Sequence, residues 1–205
     1  MSSGKSMMGR GITALVILLS LGGCGGPAPA PAEAVDTSNF TPDEADDAER
    51  AALSRCGEVT TTGYCGVKFG MPVAEAMKVF PVKLEGYEAL AGAEQSPDVC
   101  TELFAVQPVR GVSFLAEARV IGRVDVITEI VRSPEGFGVG TQASSIRTHF
   151  GDALGVDVND LEPDITDLSI TEGGAKFVYE IQDGIVRSWR AGVAPTIDYV
   201  AHCSG

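Results

Sequence analysis

Hydrophobic residues follow three regimes along this chain. A mostly apolar run from Ile12 to Leu21 comes after a short stretch carrying Lys5 and Arg10. From Pro27 to Ala32 proline alternates with alanine, and from Glu33 to Asp47 carboxylates are frequent and large apolar groups few. From about Ala48 the apolar positions become periodic. Val73, Ala76, Met77 and Phe80 stand at i, i+3, i+4 and i+7, and Ala143, Ile146 and Phe150 hold the same stripe, the spacing of one buried helix face. Pro72 suits the start of the first helix and Thr141 an N-cap for the second. After each helix come runs in which β-branched and aromatic residues alternate with polar ones between turn signals. These are Cys100 to Val106, Val112 to Glu117 and Val120 to Ile127, then Ile165 to Ile170, Ala175 to Ile181, Ile185 to Arg190 and Thr196 to Ala201. Asp183-Gly184 is a type I′ hairpin signal. The expected architecture is α+β, with helices covering one face of an antiparallel sheet.

The two helices open on similar sequence. Gly66 to Phe80 superposes without a gap on Gly136 to Phe150, with Gly66, Gly70 and Phe80 finding identical partners, and the hairpin Phe114 to Val126 corresponds to Phe177 to Trp189. This predicts an internal repeat, about 60–130 and 131–205, in one domain spanning 48–205.

Phe69-Gly70-Met71-Pro72-Val73-Ala74-Glu75-Ala76 and Val139-Gly140-Thr141-Gln142-Ala143-Ser144-Ser145-Ile146 are similar to the helix-opening pattern of the BamE (SmpA/OmlA) lipoproteins and of the secreted β-lactamase inhibitor protein. The tandem order looks more like the inhibitor, and the start of the chain more like BamE. The second copy departs from the pattern, having Thr141 where a methionine stands in the first. Neither family is enzymatic, so the resemblance implies a binding protein.

Leu21-Gly22-Gly23-Cys24 closes the apolar run and resembles a lipobox. A basic stretch, a brief apolar region and small residues before a cleavage point mark a secretory signal. The run is shorter than the ~20 residues that cross a bilayer as a helix. The expected organisation is a signal peptide at 1–23, Cys24 as the lipidated first residue of the mature chain, and a disordered linker at 24–47. Its Pro/Ala tract favours extended polyproline II at ~3.1 Å per residue. Gly25 after Cys24 resembles lipoproteins passed on to the outer membrane.

Loss of Lys5 and Arg10 with the first 23 residues moves the formal charge from −13 to −15. Such a chain is repelled by nucleic acid and by anionic headgroups, which leaves the lipid as its only membrane contact. It suits a basic protein partner, although surface acidity also serves solubility alone. Apart from Cys24, Cys56, Cys65, Cys100 and Cys203 form an even set, as two disulfides in an exported chain require. Of three possible pairings, Cys56 with Cys65 closes a short hairpin-like loop, and Cys100 then joins Cys203. Zinc is disfavoured, since no CxxC pair is present.

Motifs of catalysis are weak. Ser145, His149 and Asp152 share one helix stripe, but a plain helix supplies neither an exposed nucleophile elbow nor an oxyanion hole. Asp157 to Glu162 begins like a calcium loop, then places Leu161 at a ligand position and Glu162 at the glycine position. Gly136, Gly138 and Gly140 lack the lysine of a phosphate loop. No enzyme, cofactor or metal is expected. If Val186 faces the core, strict alternation puts Arg187 and Trp189 together on the opposite face, a contact surface that Tyr179 and Tyr199 extend. The alternative is an inward Trp189 with Ser188 outside.

The sequence therefore reads as a lipid-anchored, periplasm-facing envelope protein, at the outer membrane, that binds another envelope protein. A small-ligand or carbohydrate module for peptidoglycan glycan is the alternative. Cys24→Ala should leave the domain folded and release it from the membrane or block its processing. Fractionation of cells expressing the variant checks this, and a correctly processed variant still in the membrane fraction would contradict the anchor.

Overall fold

A computed structural model of the chain describes residues 42–86, 100–106 and 108–200, all within one compact unit, Asn39–Gly205. The apolar run, Cys24, the proline tract and Cys203 lie outside the described residues. No helix among the described residues is long and apolar enough to cross a membrane.

Among the described residues, the first element is helix α1, Pro42–Leu53, which starts six residues inside the segment expected to be linker. A proline at the first helical position and Glu44 in the first turn suit a helix start. Farther along, Leu53 is buried and the Glu49 carboxylate accepts the Arg110 backbone N–H at 2.9 Å, so the helix is docked. A disulfide, Cys56–Cys65, ties the end of α1 to a small hairpin of β1, Gly63–Tyr64, and β2, Val67–Lys68. This is the pairing expected for those two cysteines. Cys100 is disulfide-bonded as well, and the expected pairing to Cys203 lies outside the described residues.

Helix α2, Val73–Val79, leads into β3, Leu84–Gly86, β4, Thr101–Ala105, β5, Val112–Glu117, and β6, Val120–Val126. Helix α3, Ala143–Phe150, leads into β7, Gly155–Val158, β8, Thr166–Glu172, β9, Ala175–Gln182, and β10, Ile185–Gly192. These eight strands form one antiparallel sheet in the order β3-β4-β5-β6-β10-β9-β8-β7. The fold is α+β, as expected. Each helix start is stitched to a hairpin by the same kind of bonds. Gly70 N–H donates to Ile121 and Ile121 N–H to Met71, while Gly140 N–H donates to Val186 and Val186 N–H to Thr141. Thr141 is not the N-cap. Gln142 holds that position, and Thr141 Oγ1 instead accepts the Gly138 N–H at 3.1 Å.

The core lies between the sheet and its helices. Phe114, Val124, Val126, Leu168, Phe177, Tyr179 and Trp189 cluster there with Ala76 and Ile146 from the helices. Phe80 meets Phe114 edge-on at 5.3 Å, and Trp189 stacks between Phe177 and Tyr179 at 6.5 and 5.9 Å. The Asp183-Gly184 turn is as expected, with φ of 52° and 79°.

Two expectations fail. Strict alternation along β10 does not hold, because the register against β9 slips between Val186 and Ser188, leaving Arg187 as an extra residue. A bulge of this kind reverses the parity of everything beyond it. Val186 and Trp189 consequently both face the core, each 1% exposed, and Arg187 does not share a face with Trp189. The stretch Thr196 to Ala201, expected as a strand, instead contains a 3-10 turn, Thr196–Asp198. That turn packs on the sheet at Gly122, where a Cβ would stand 2.2 Å from Thr196 Oγ1, so only glycine admits so close an approach.

Trp189→Ala should lower stability by ~3 to 5 kcal/mol, the usual cost of removing a core tryptophan. Chemical denaturation checks this, and a loss under about 1 kcal/mol would contradict the burial of that side chain.

Candidate functional site

Polar positions of the central strands all face away from the helices, and their charges are paired with one another. Register sets Asp125 of β6 directly opposite Arg190 of β10, and Arg190 opposite Val178 of β9. Arg190 is 6% exposed, yet its guanidinium bonds two carboxylates, Glu180 through Nη1 and Asp167 through Nη2, the latter at 3.2 Å. Ser188 donates its hydroxyl to the other oxygen of Glu180. Asn159 Nδ2 donates to Asp167 at 3.3 Å. At the rim, Arg187 forks onto Glu162 with bonds of 3.0 and 2.6 Å and lies 3.8 Å from Glu180. The bulge that turns Trp189 inward is what frees Arg187 to make this fork.

Arg123 continues the array. Its Nε donates to Asp125 at 2.9 Å, and its Nη1 donates to the backbone carbonyls of Thr196 and Tyr199 at 3.0 and 2.7 Å. A single buried arginine thus clamps the 3-10 turn down over the sheet. Leu115 and Val178, which point to this face by their pairing with Arg123 and Arg190, are buried along with Ile197 of the turn.

Four carboxylates, Asp125, Asp167, Glu180 and Glu162, and three guanidiniums make these pairs. Burial raises the Asp167 carboxyl above the ordinary aspartate value, with Asn159 and Arg190 opposing and Glu180 adding to the rise. Glu162 is held below the usual range by the hydrogen bond from Arg187, and that bond pushes Arg187 further up. Such an array fixes charges in space at a cost in desolvation.

The residues expected to form a contact surface do not converge. Trp189 and Tyr179 are core side chains on the helix side, and burial holds the Tyr179 phenol well above its ordinary value. Arg187 belongs to the opposite face. Tyr199 is half-buried at the chain end, its phenol raised by a hydrogen bond with Glu117. Missed by the alternation argument were Arg123, Asp125, Asp167, Glu180 and Arg190. Their signal was present as opposite charges at the polar positions of successive strands, a pattern also shown by a solvated face.

Ser145 and His149 both line an open depression of about 490 Å³, with Glu135, Phe137, Ser144 and Thr148, but Asp152 does not. No hydrogen bond joins Ser145 to His149 among the described residues, and the His149 ring lies edge-on to Phe137 and Phe150 at 5.3 and 4.7 Å. In the acidic loop, Asn159 Oδ1 accepts the N–H groups of Leu161 and Glu162 at 3.0 and 3.1 Å, closing a turn instead of facing a cation. No cluster of three metal-ligating side chains occurs among the described residues.

No family model matches this chain, and no curated protein matches it. Solved structures of similar shape share little sequence with it. An extracellular protein containing a SCP domain from Bacillus anthracis str. Ames is 10% identical at a TM-score of 0.45, over 63% of this chain. This chain spans 45% of that protein's length. The uncharacterized protein yfeY from Escherichia coli is 13% identical at 0.43, over 66% of this chain and 95% of that one. A DUF4309 family protein, YjgB, from Bacillus subtilis is 10% identical at 0.40, over 73% and 95%.

Asp167 gives the array a pH signature. Its carboxyl is raised in the folded state, so the folded protein binds the proton more tightly than the unfolded chain, and this group's contribution to stability falls as pH rises from the ordinary aspartate range through the folded value. Asp167→Asn, which mimics the protonated form, should therefore compare more favourably with the parent at neutral pH than near pH ~3. Melting curves of both proteins across that range check this. A difference independent of pH would contradict the raised carboxyl.

Proposed function

We propose that this chain is a lipoprotein anchored through Cys24, facing the periplasm from the outer membrane, whose domain works by binding another envelope protein and not by catalysis. Its two halves are two copies of one helix-plus-sheet unit, of the kind found in the BamE lipoproteins and the β-lactamase inhibitor protein. The matching stitches at Gly70 and Gly140 support the duplication.

The observation that carries the binding role is the charge array on the sheet face away from the helices. Arg187 and Glu162 hold each other in a two-bond fork at its rim, and Phe104, 42% exposed, lies on the same face two strands beyond Asp125. Charges already locked in place lose little side-chain freedom on docking, and an exposed aromatic beside them supplies apolar contact. Electrostatic complementarity of this kind steers and orients a protein partner. The glycan reading loses the stacking platform of Trp189 and Tyr179, and what favours it now is the hydroxyl-lined depression at Ser144, Ser145 and Thr148.

Photo-crosslinking residues placed at Phe104 or Thr171, on the charged face, should each give a discrete protein adduct in intact cells, while one at Met77, on α2, should give none. Adducts from Met77 with none from the charged face would overturn the assignment. Capture of glycan by a probe at Ser145 would transfer it to the carbohydrate alternative.

A further inference from the structure

The sheet ends in two unlike edges. At β3, Leu84 is buried and Lys83 pairs with Glu85 at 2.5 Å, so a lysine guards the edge. At β7 there is neither lysine nor proline nor bulge. Its register with β8 runs unbroken from Gly155 opposite Ser169 to Val158 opposite Thr166. The next pair in the ladder fixes the phase, since Asn159 N–H donates to the Ile165 carbonyl at 3.0 Å. Hydrogen-bonded pairs alternate along an antiparallel ladder, which turns the bonds of Gly155 and Asp157 inward to β8. The N–H and C=O groups of Val156 and Val158 therefore point outward along the open edge.

Side chains along this edge are also unusual. Val156 and Val158 are 51% and 64% exposed on the helix side, and Leu161, 62% exposed, follows at the loop tip. Three of the nine exposed large hydrophobic residues among those described thus fall within six positions. On the opposite side Asp157 stands directly across from Asp167, a like-charge pair that is unfavourable in the isolated sheet. Asp167 has its counter-charge in Arg190 at 3.2 Å, and the local sequence offers none for Asp157, since no lysine or arginine occurs between Arg147 and Lys176, a stretch with seven acidic residues.

We infer that the β7 edge accepts an extended segment of a protein partner by strand addition, and that the segment alternates lysine or arginine with β-branched residues. In an antiparallel addition, residues opposite Val156 and Val158 exchange backbone bonds with them and place their side chains on the helix side, so they are apolar. The residue between them falls opposite Asp157 and is basic. A second copy of this chain fits poorly, because pairing two β7 edges brings together two segments that each carry seven acidic residues and no lysine or arginine between Arg147 and Lys176. This edge borders the charged face through Asp157 and Asp167, but its test reads backbone bonding of a peptide to β7, so it succeeds or fails independently of the crosslinking above.

Full-length protein titrated with a labelled octapeptide of alternating lysine and valine, followed by fluorescence anisotropy at about 0.15 M salt, tests the inference. Binding is expected for this peptide and not for its glutamate-valine counterpart. N-methylation of the peptide's valines should abolish binding, while N-methylation of its lysines should leave it. Val158→Pro, which deletes one outward N–H and leaves the bonds to β8, should weaken binding by about tenfold or more with the far-ultraviolet circular dichroism unchanged. If that variant unfolds, the methylated peptides decide alone. No binding of the lysine-valine peptide, equal binding of the glutamate peptide, or indifference to valine methylation would each overturn the inference. Sedimentation showing a dimer that Val158→Pro dissociates would assign the edge to a second copy and overturn it as well.

Discussion

Everything in this domain hangs on the pairing of β6 with β10. Each half of the chain contributes four strands to the large sheet, and the β6–β10 seam joins the two sets among the described residues. A four-stranded sheet with a single short helix buries little apolar surface alone, whereas the joined sheet encloses a shared core. The seam is reinforced from both sides. On the helix side Trp189 lies against Val126 and between Phe177 and Tyr179. On the other side Arg190 meets Asp125 in register and reaches across to Glu180 and Asp167.

One extra residue makes that double reinforcement possible. Without the bulge at Arg187, Val186 and Trp189 would lie on opposite faces, and Arg190 would point into the core. With it, the hairpin tip still presents Val186 to the start of α3 while Trp189 and Arg190 take their places at the seam. The same bulge puts Arg187 within reach of Glu162. Packing of the core and display of the charged rim are thus set by one local irregularity.

Much of the fold was legible because it rests on local periodicity. The stripe of Ala143, Ile146 and Phe150 pointed to α3, the alternation of Val112 to Glu117 to β5, and Asp183-Gly184 to its hairpin. What escaped depends on partners distant in sequence. Gly155–Val158 is too short to show a period and becomes a strand through pairing with β8. Thr196–Asp198 carries β-forming residues, but Arg123 captures its carbonyls and coils it over the sheet. The charged array was illegible for a related reason. Arg123, Asp125, Asp167, Glu180 and Arg190 have the alternation of a solvated face, and only the register reveals that they neutralise one another. Trp189 takes the inward alternative, because the bulge breaks the parity rule that would have set it beside Arg187.

Native-state hydrogen exchange tests most directly whether the β6–β10 seam makes the two halves one cooperative unit. The slowest amides should be Val124 and Ala191 on the paired strands, and those of β5 and β9 should exchange with the same free energy, equal to that of global unfolding. Protection of β8 and β9 that outlasts protection of β5 and β6, through opening of one half with the other intact, would show that the seam does not hold the domain together.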